Sequence, residues 1–270
     1  MAPFALASLS GRWGALRAGW RTIVLYGLLA VAGAQFCYFS AVASMDVGPA
    51  LLIEYTAPAA VVAWLWLRHA RRPHRLTLLG AALAAAGLVL VLDLLSGADL
   101  ALAGVAWALG AMVGATAYFL ISADDSTGLP PLALAGSGLA VGAAALAALG
   151  AVGLMPMRAA TSAPSYAGST VPWWASVLVL GLVTAALAYT TGVAATRRLG
   201  SQVASFVALL EVVAGVGFAW LLLDQLPGAL QLVGGLLIIA GVVVVKLGDG
   251  RRPPAPLAPL APLAVRADGR

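Results

Sequence analysis

Charge is scarce in this sequence. Asp, Glu, Lys and Arg make up 9% of its 270 residues, while 62% are hydrophobic. A soluble globule needs about a quarter of its residues charged to face water, so a water-soluble fold is excluded. Cysteine is limited to Cys37, inside an apolar run, which rules out a disulfide framework and a Cys-based metal site. Histidine is limited to His69 and His74, five apart in a basic loop without partner thiols or carboxylates, so no metal site is expected. The apolar runs hold no histidine, no HExxH and no GxSxG, which disfavours an intramembrane enzyme. No phosphate-binding loop is present, so a self-contained ATP-driven pump is excluded and no cofactor is expected. The short alternating segments of a transmembrane β-barrel are missing as well.

What remains is apolar length. A hydrocarbon core of about 30 Å takes about 20 helical residues, and eight runs qualify: 22–44, 49–67, 76–95, 102–122, 130–153, 173–196, 202–223 and 229–247. The fold class expected is an all-α, polytopic membrane helix bundle. Short polar turns such as SMDVG, ADDSTG and DQLPG separate the runs. One long connection, 154–172, is rich in Ser, Thr, Pro and Gly and reads as a loop. The tail 248–270 repeats Ala-Pro-Leu and reads as disordered.

The pI near 9.9 does not point to nucleic acid, because the basic residues cluster between apolar runs as topology signals. With the N-terminus in the cytoplasm and the spans alternating, only Arg158 of the 15 Lys and Arg residues falls outside. That asymmetry predicts a multi-pass protein of the cell membrane with both termini cytoplasmic. The loop carrying Arg68, Arg71, Arg72 and Arg75 would touch anionic lipid head groups.

Sliding the chain along itself by 154 residues uncovers a repeat. Leu76, Leu78, Gly80, Ala86 and Gly87 meet Leu230, Leu232, Gly234, Ala240 and Gly241 without a gap, and Trp66 meets Trp220. The first three spans thus correspond to the last three, and the two triplets enter the bilayer from opposite sides. An inverted-topology repeat is typical of secondary transporters, whose solute site lies near the midplane between the halves.

The last three spans carry a further likeness. TAALAYTTGVAATRRLGSQVASFVALLEVVAGVGFAWLLLDQLPGALQLVGGLLIIAGVV contains Tyr189, Leu210-Glu211-Val212, Asp224-Gln225, Gln231 with Gly234, and Gly241-Val242 in order. This set, with the fourth-span stretch GVAWALGAMVGATAYFLIS, resembles the EamA-like drug/metabolite transporter family over residues 12–247. Val212 and Gln225 depart from that family's usual proline and glutamate. The resemblance implies two five-helix halves, of which this chain shows three and then five. On that basis 1–21 is the cytoplasmic stump of a missing helix and loop, 22–95 a truncated first half and 96–247 a complete second half.

Two carboxylates stand more than a helical turn inside the spans. A charged group at mid-bilayer costs about 2.5–3.5 kcal/mol on insertion scales, while each Leu, Ile, Val or Phe returns about 0.3–0.6 kcal/mol. Glu54 lies in LLIEYTAPAAVVAWLWL, with Pro58 removing the amide that its carbonyl would accept. A kinked helix with an ionisable group at the kink suits a gate or ligand site; snorkelling to the outer surface is the plainer alternative. Glu211 sits about halfway along its span with no basic neighbour, and its repeat partner is Ala57, one turn from Glu54. Gln35, Tyr38, Tyr55, Tyr118 and Tyr189 are candidates to line the same cavity, with the interfacial aromatic belt as the alternative for Tyr118 and Tyr189. Trp64, Trp66, Trp173, Trp174 and Trp220 read as belt anchors. Gly110 with Gly114, and Gly138 with Gly142, read as close helix-packing sites.

The combined expectation is a secondary transporter, not an enzyme, that carries a small polar solute such as an amino acid between two inverted halves. The alternatives are a non-transporting remnant and, behind it, an intramembrane enzyme. The partners expected are the solute, the bilayer and a second copy lending a cavity wall, with no nucleic acid.

Overall fold

A computed structural model describes residues 13–69, 73–92, 101–155, 162–163, 165–166, 169–223, 226 and 228–249. Arg12, Arg71, Arg72, Arg158, Asp224, Gln225 and the Ala-Pro-Leu repeats lie outside the described residues. Among those described the chain is helical, apart from one two-residue antiparallel ribbon in the long connection: β1 (Ser165–Tyr166) faces β2 (Ser169–Thr170).

A short helix α1 (Trp13–Ala18) occupies part of the stretch expected to be loop. After it come α2 (Trp20–Val42), α3 (Val47–Arg68), α4 (Arg75–Val91), α5 (Leu102–Ala123), α6 (Pro131–Ala151), α7 (Trp173–Ala208), α8 (Leu210–Leu223) and α9 (Ala229–Asp249). Six of these, α2, α3, α5, α6, α7 and α9, are long and apolar enough to cross a bilayer; α4 is an apolar helix of 17 residues. His74, read from sequence only as part of a basic loop, caps α4: its Nδ1 accepts from the Leu76 amide at 3.2 Å.

Three departures from straight helix matter. First, α2 and α7 each contain a π-helical stretch, Tyr26–Gly33 and Leu180–Leu187. Such wide turns recur at functional sites. Second, α3 is interrupted at Tyr55–Thr56, where the Thr56 amide and hydroxyl both donate to the Ile53 carbonyl, at 3.1 and 2.6 Å. Pro58 then sits in the first turn of the second segment (Ala57–His69), where its missing donor goes unused. Third, the turn expected between 196 and 202 is found at Gly200, which divides α7 into two helical arms. Gly200 kinks it there at φ 77°, ψ 158°, a region essentially reserved for glycine.

These boundaries recur at one spacing. The π-helical stretches begin and end 154 residues apart. The first segment of α3, 47–54, matches 201–208 beyond the Gly200 kink. The second segment ends at His69 and α8 at Leu223, while α4 opens at Arg75 and α9 at Ala229.

Packing relies on small residues. The antiparallel pair α4 and α9 meets backbone to backbone. A Cβ on Gly80 would stand 2.6 Å from the Gly241 carbonyl oxygen, and one on Gly241 2.6 Å from that of Gly80. Gly87 and Gly234 face each other in the same way, at 2.5 and 2.7 Å. Around this seam Val62, Leu88, Phe206, Leu209 and Ile238 form one buried cluster. On the other side α2 receives α5 and α6. Gly114 fits against Ala34, Gly110 against Cys37, Gly142 against Val31 and Gly138 against the Tyr26 ring. Both GxxxG pairs therefore pack onto α2. Trp64, Trp66, Trp173, Trp174 and Trp220 are exposed on the outer surface.

Because the obstacle at Gly80 and Gly241 is backbone and not a movable side chain, Gly80→Ala or Gly241→Ala should destabilise by about 1–3 kcal/mol. The double variant should cost less than the sum, since both substitutions open one contact. Gly215→Ala, with nothing within 4 Å, is the neutral control. Thermal unfolding of the detergent-purified chain checks this; equal midpoints for all three would refute the seam.

Candidate functional site

A cavity of about 580 Å³ lies between α2, α3, α5, α7 and α8, and all eight residues singled out from the sequence are on its wall. Gln35 and Tyr38, one turn apart, come from α2 just beyond its π-helical stretch. Glu54, Tyr55 and Pro58 come from the break in α3. Tyr118 projects from α5, Tyr189 from α7 and Glu211 from the first turn of α8. The interruption at Tyr55–Thr56 exposes polar backbone beside a carboxylate, which membrane proteins tolerate only next to protein or water.

The aromatic part of the wall is built in layers. Fully buried Tyr26 lies 5.9 Å from Tyr118 between ring centroids, and Tyr118 lies 5.8 Å from Tyr189 at 89°, edge to face. Gly192 makes room for this column, since a Cβ there would collide with the Tyr118 hydroxyl. Tyr118 and Tyr189 thus both line the cavity. Gln35 is within hydrogen-bonding reach of Tyr189. Behind the column the buried Tyr26 and Ser122 hydroxyls lie within reach of each other.

The electrostatics are one-signed. Glu54 and Glu211 are close enough for their charges to interact, and Tyr38, Tyr55 and Tyr189 lie within the field of Glu54. No Lys, Arg or His belongs to the described wall. Arg197, next to the wall residue Thr196, turns away: it pairs with Asp125 at 3.0 Å and donates to the Leu129 carbonyl. This ties the α5–α6 connection to α7 three residues before the Gly200 kink.

The wall also repeats itself. Ala30, Ala34, Gln35, Tyr38, Leu51, Glu54, Tyr55 and Ala57 all line the cavity, and so does the residue 154 positions beyond each: Thr184, Ala188, Tyr189, Gly192, Ser205, Ala208, Leu209 and Glu211. Thr184, Gly192 and Ser205 escaped the sequence reading, although the 154-residue offset applied to Ala30, Tyr38 and Leu51 points to them. Tyr26 escaped too. As a tyrosine near the start of a span it carried no signal beyond its aromatic character.

No curated protein matches the chain. A solved structure, titled only as the crystal structure of a protein, superposes with a TM-score of 0.71 at 23% identity. The match covers 90% of this chain and 82% of that one, and it establishes likeness of fold. The model of the EamA-like transporter family matches residues 1–93 and 102–247. Multi-pass apolar helices, an internal cavity with membrane carboxylates and a family match over most of the length agree: the chain belongs to the EamA-like transporter family.

Proposed function

We propose that the protein is a secondary transporter of small polar metabolites such as amino acids or related compounds, working by alternating access of two inverted halves in the cell membrane. The observation that carries this reading is the self-matching cavity wall. Eight positions of one repeat and their eight counterparts enclose the same space, as expected for a solute site on a pseudo-two-fold axis. The α4–α9 seam supports the axis independently. Gly80 touches Gly241 and Gly87 touches Gly234, and a two-fold that exchanges residues 154 apart converts the first contact into the second. Counting α7 as two arms divided at Gly200, and α8 as the continuation of the second arm, gives eight crossings with both termini cytoplasmic.

Rocking one half against the other would expose the wall alternately to each side. The hinges are the points where backbone regularity already fails: Tyr55–Thr56 in α3 and Gly200 in α7. The carboxylates are suited to couple this motion to protons, since a neutral and an ionised carboxyl favour different surroundings. Glu54 interacts electrostatically with Glu211, Tyr38, Tyr55 and Tyr189, with no base among the described wall residues to hold it permanently ionised.

The expected partner is a second copy. Residues 177–184 of α7 are exposed throughout, whereas on α2 the equivalent stretch buries Ile23, Tyr26, Gly27 and Ala30 under α5 and α6. A second protomer laid along α7 would supply the cover.

Three measurements test this scheme. In a Cys37→Ala background, an impermeant maleimide should label Ser162→Cys on intact cells and Ser126→Cys only after permeabilisation; the opposite pattern would invert the topology. In proteoliposomes, Glu54→Gln or Glu211→Gln should abolish the response of transport to an imposed proton gradient, and unchanged coupling in both would remove the carboxylates from that role. Leu180→Cys in the same background should crosslink between copies in membranes. A chain that stays uncrosslinked and has a monomeric mass in detergent would exclude the second copy.

A further inference from the structure

We infer that the solute is an amphiphilic organic cation, a protonated amine on an aromatic or aliphatic body, carrying no free carboxylate. This rests on the transporter reading above and departs from it in the solute, replacing the amino acid by the related amine. The wall presents two carboxylates and no Lys, Arg or His among its described residues. Arg197, next to the wall residue Thr196, is committed to Asp125 and Leu129 on the other face of α7. A zwitterion entering this space would bring its own carboxylate against Glu54 and Glu211, with only neutral hydroxyl and amide donors to receive it. Like charges in a poorly hydrated site repel strongly, whereas the ammonium of an amine is attracted by both side chains. The solute class favoured by charge is therefore the amine and not the amino acid.

The rest of the wall fits the same class. Tyr118 and Tyr189 are held edge to face at 5.8 Å, and aromatic faces attract cations. A volume of about 580 Å³ lies in the range of small-molecule pockets. A bare metal ion suits it poorly: the described residues hold no group of three or more His, Cys, Asp or Glu placed to cage one.

The two carboxylates also come from different halves at places that the repeat does not equate. The counterpart of Glu54 is Ala208, and the counterpart of Glu211 is Ala57, one helical turn along the wall. Each half thus owns one anionic position, and a cation moves from one to the other as the halves exchange exposure.

The test uses pairs that differ only in the carboxylate: tyramine against tyrosine, tryptamine against tryptophan, and 2-phenylethylamine against phenylalanine. Flux is measured in proteoliposomes and binding by equilibrium dialysis on the purified full-length chain. The expectation is that at least one amine moves and binds at least about tenfold better than its amino acid, with Glu54→Gln and Glu211→Gln each lowering amine binding by a similar factor. Unchanged thermal midpoints for both variants exclude misfolding. Amino acids transported as well as their amines would overturn the cation class while leaving the transporter intact. Amines that bind selectively but are not moved would uphold the class and sink the transporter reading. If no amine binds, the proposal falls.

Discussion

An ionised carboxylate cannot be left in hydrocarbon without a polar neighbour or water, and this constraint organises the molecule. Glu54 and Glu211 each draw on the insertion margin of their helices. The bundle answers by placing both on one internal wall, beside tyrosine hydroxyls and a glutamine, instead of matching each with a base. Matching would have neutralised them permanently. Left unmatched, the two carboxyls can accept a positive partner, which in the proposed reading is a proton or a positively charged group of the solute. The break in α3 follows from the same arrangement, because unpaired backbone is tolerated where it borders a cavity.

The framework holding that cavity has no hydrophobic force to draw helices together, since lipid tails are as apolar as leucine. Close approach replaces it. At Gly80, Gly87, Gly234 and Gly241 the α4 and α9 backbones touch with no room for a methyl group, and α5 and α6 approach α2 through Gly110, Gly114, Gly138 and Gly142. The resulting contacts are short-ranged and geometrically strict. They suit rigid bodies that rock about defined points better than a bundle that deforms everywhere. The irregular backbone lies elsewhere, in the π-helical stretches and at Gly200, next to the cavity and away from the α4–α9 glycines.

Much of this was legible in the sequence because membrane folding is dominated by one-dimensional signals. Apolar length marked the helices, and the 154-residue offset paired elements whose boundaries recur at the same spacing. The cavity residues were findable because polar side chains are rare in the spans, so Glu54, Glu211, Gln35 and the tyrosines stood out against Ala, Leu and Val. The misses have a common cause. A π-helical turn has no side-chain signature in YGLLAVAG or LGLVTAAL, since it depends on how neighbouring helices pull the backbone. The turn read between 196 and 202 is present as the break at Gly200, but nothing local showed that helical geometry resumes at once on its far side. His74 looked like one more loop charge because capping depends on a single rotamer. The pairing of Arg197 with Asp125 joins residues 72 positions apart, and no local pattern announces it.

Symmetry explains the frame, and its violations explain the chemistry. A perfectly two-fold cavity would present the same group twice, and its two access states would be identical in affinity. Here Glu54 opposes Ala208, Glu211 opposes Ala57, Gln35 opposes Tyr189, and Tyr38 opposes Gly192, whose missing side chain is filled by Tyr118 from a helix with no repeat partner among the described residues. The backbone boundaries stay matched while the side chains at the wall diverge. In the proposed mechanism, exchange of exposure between such halves would change what the solute touches, and that difference is what would let an imposed gradient do work on the cargo.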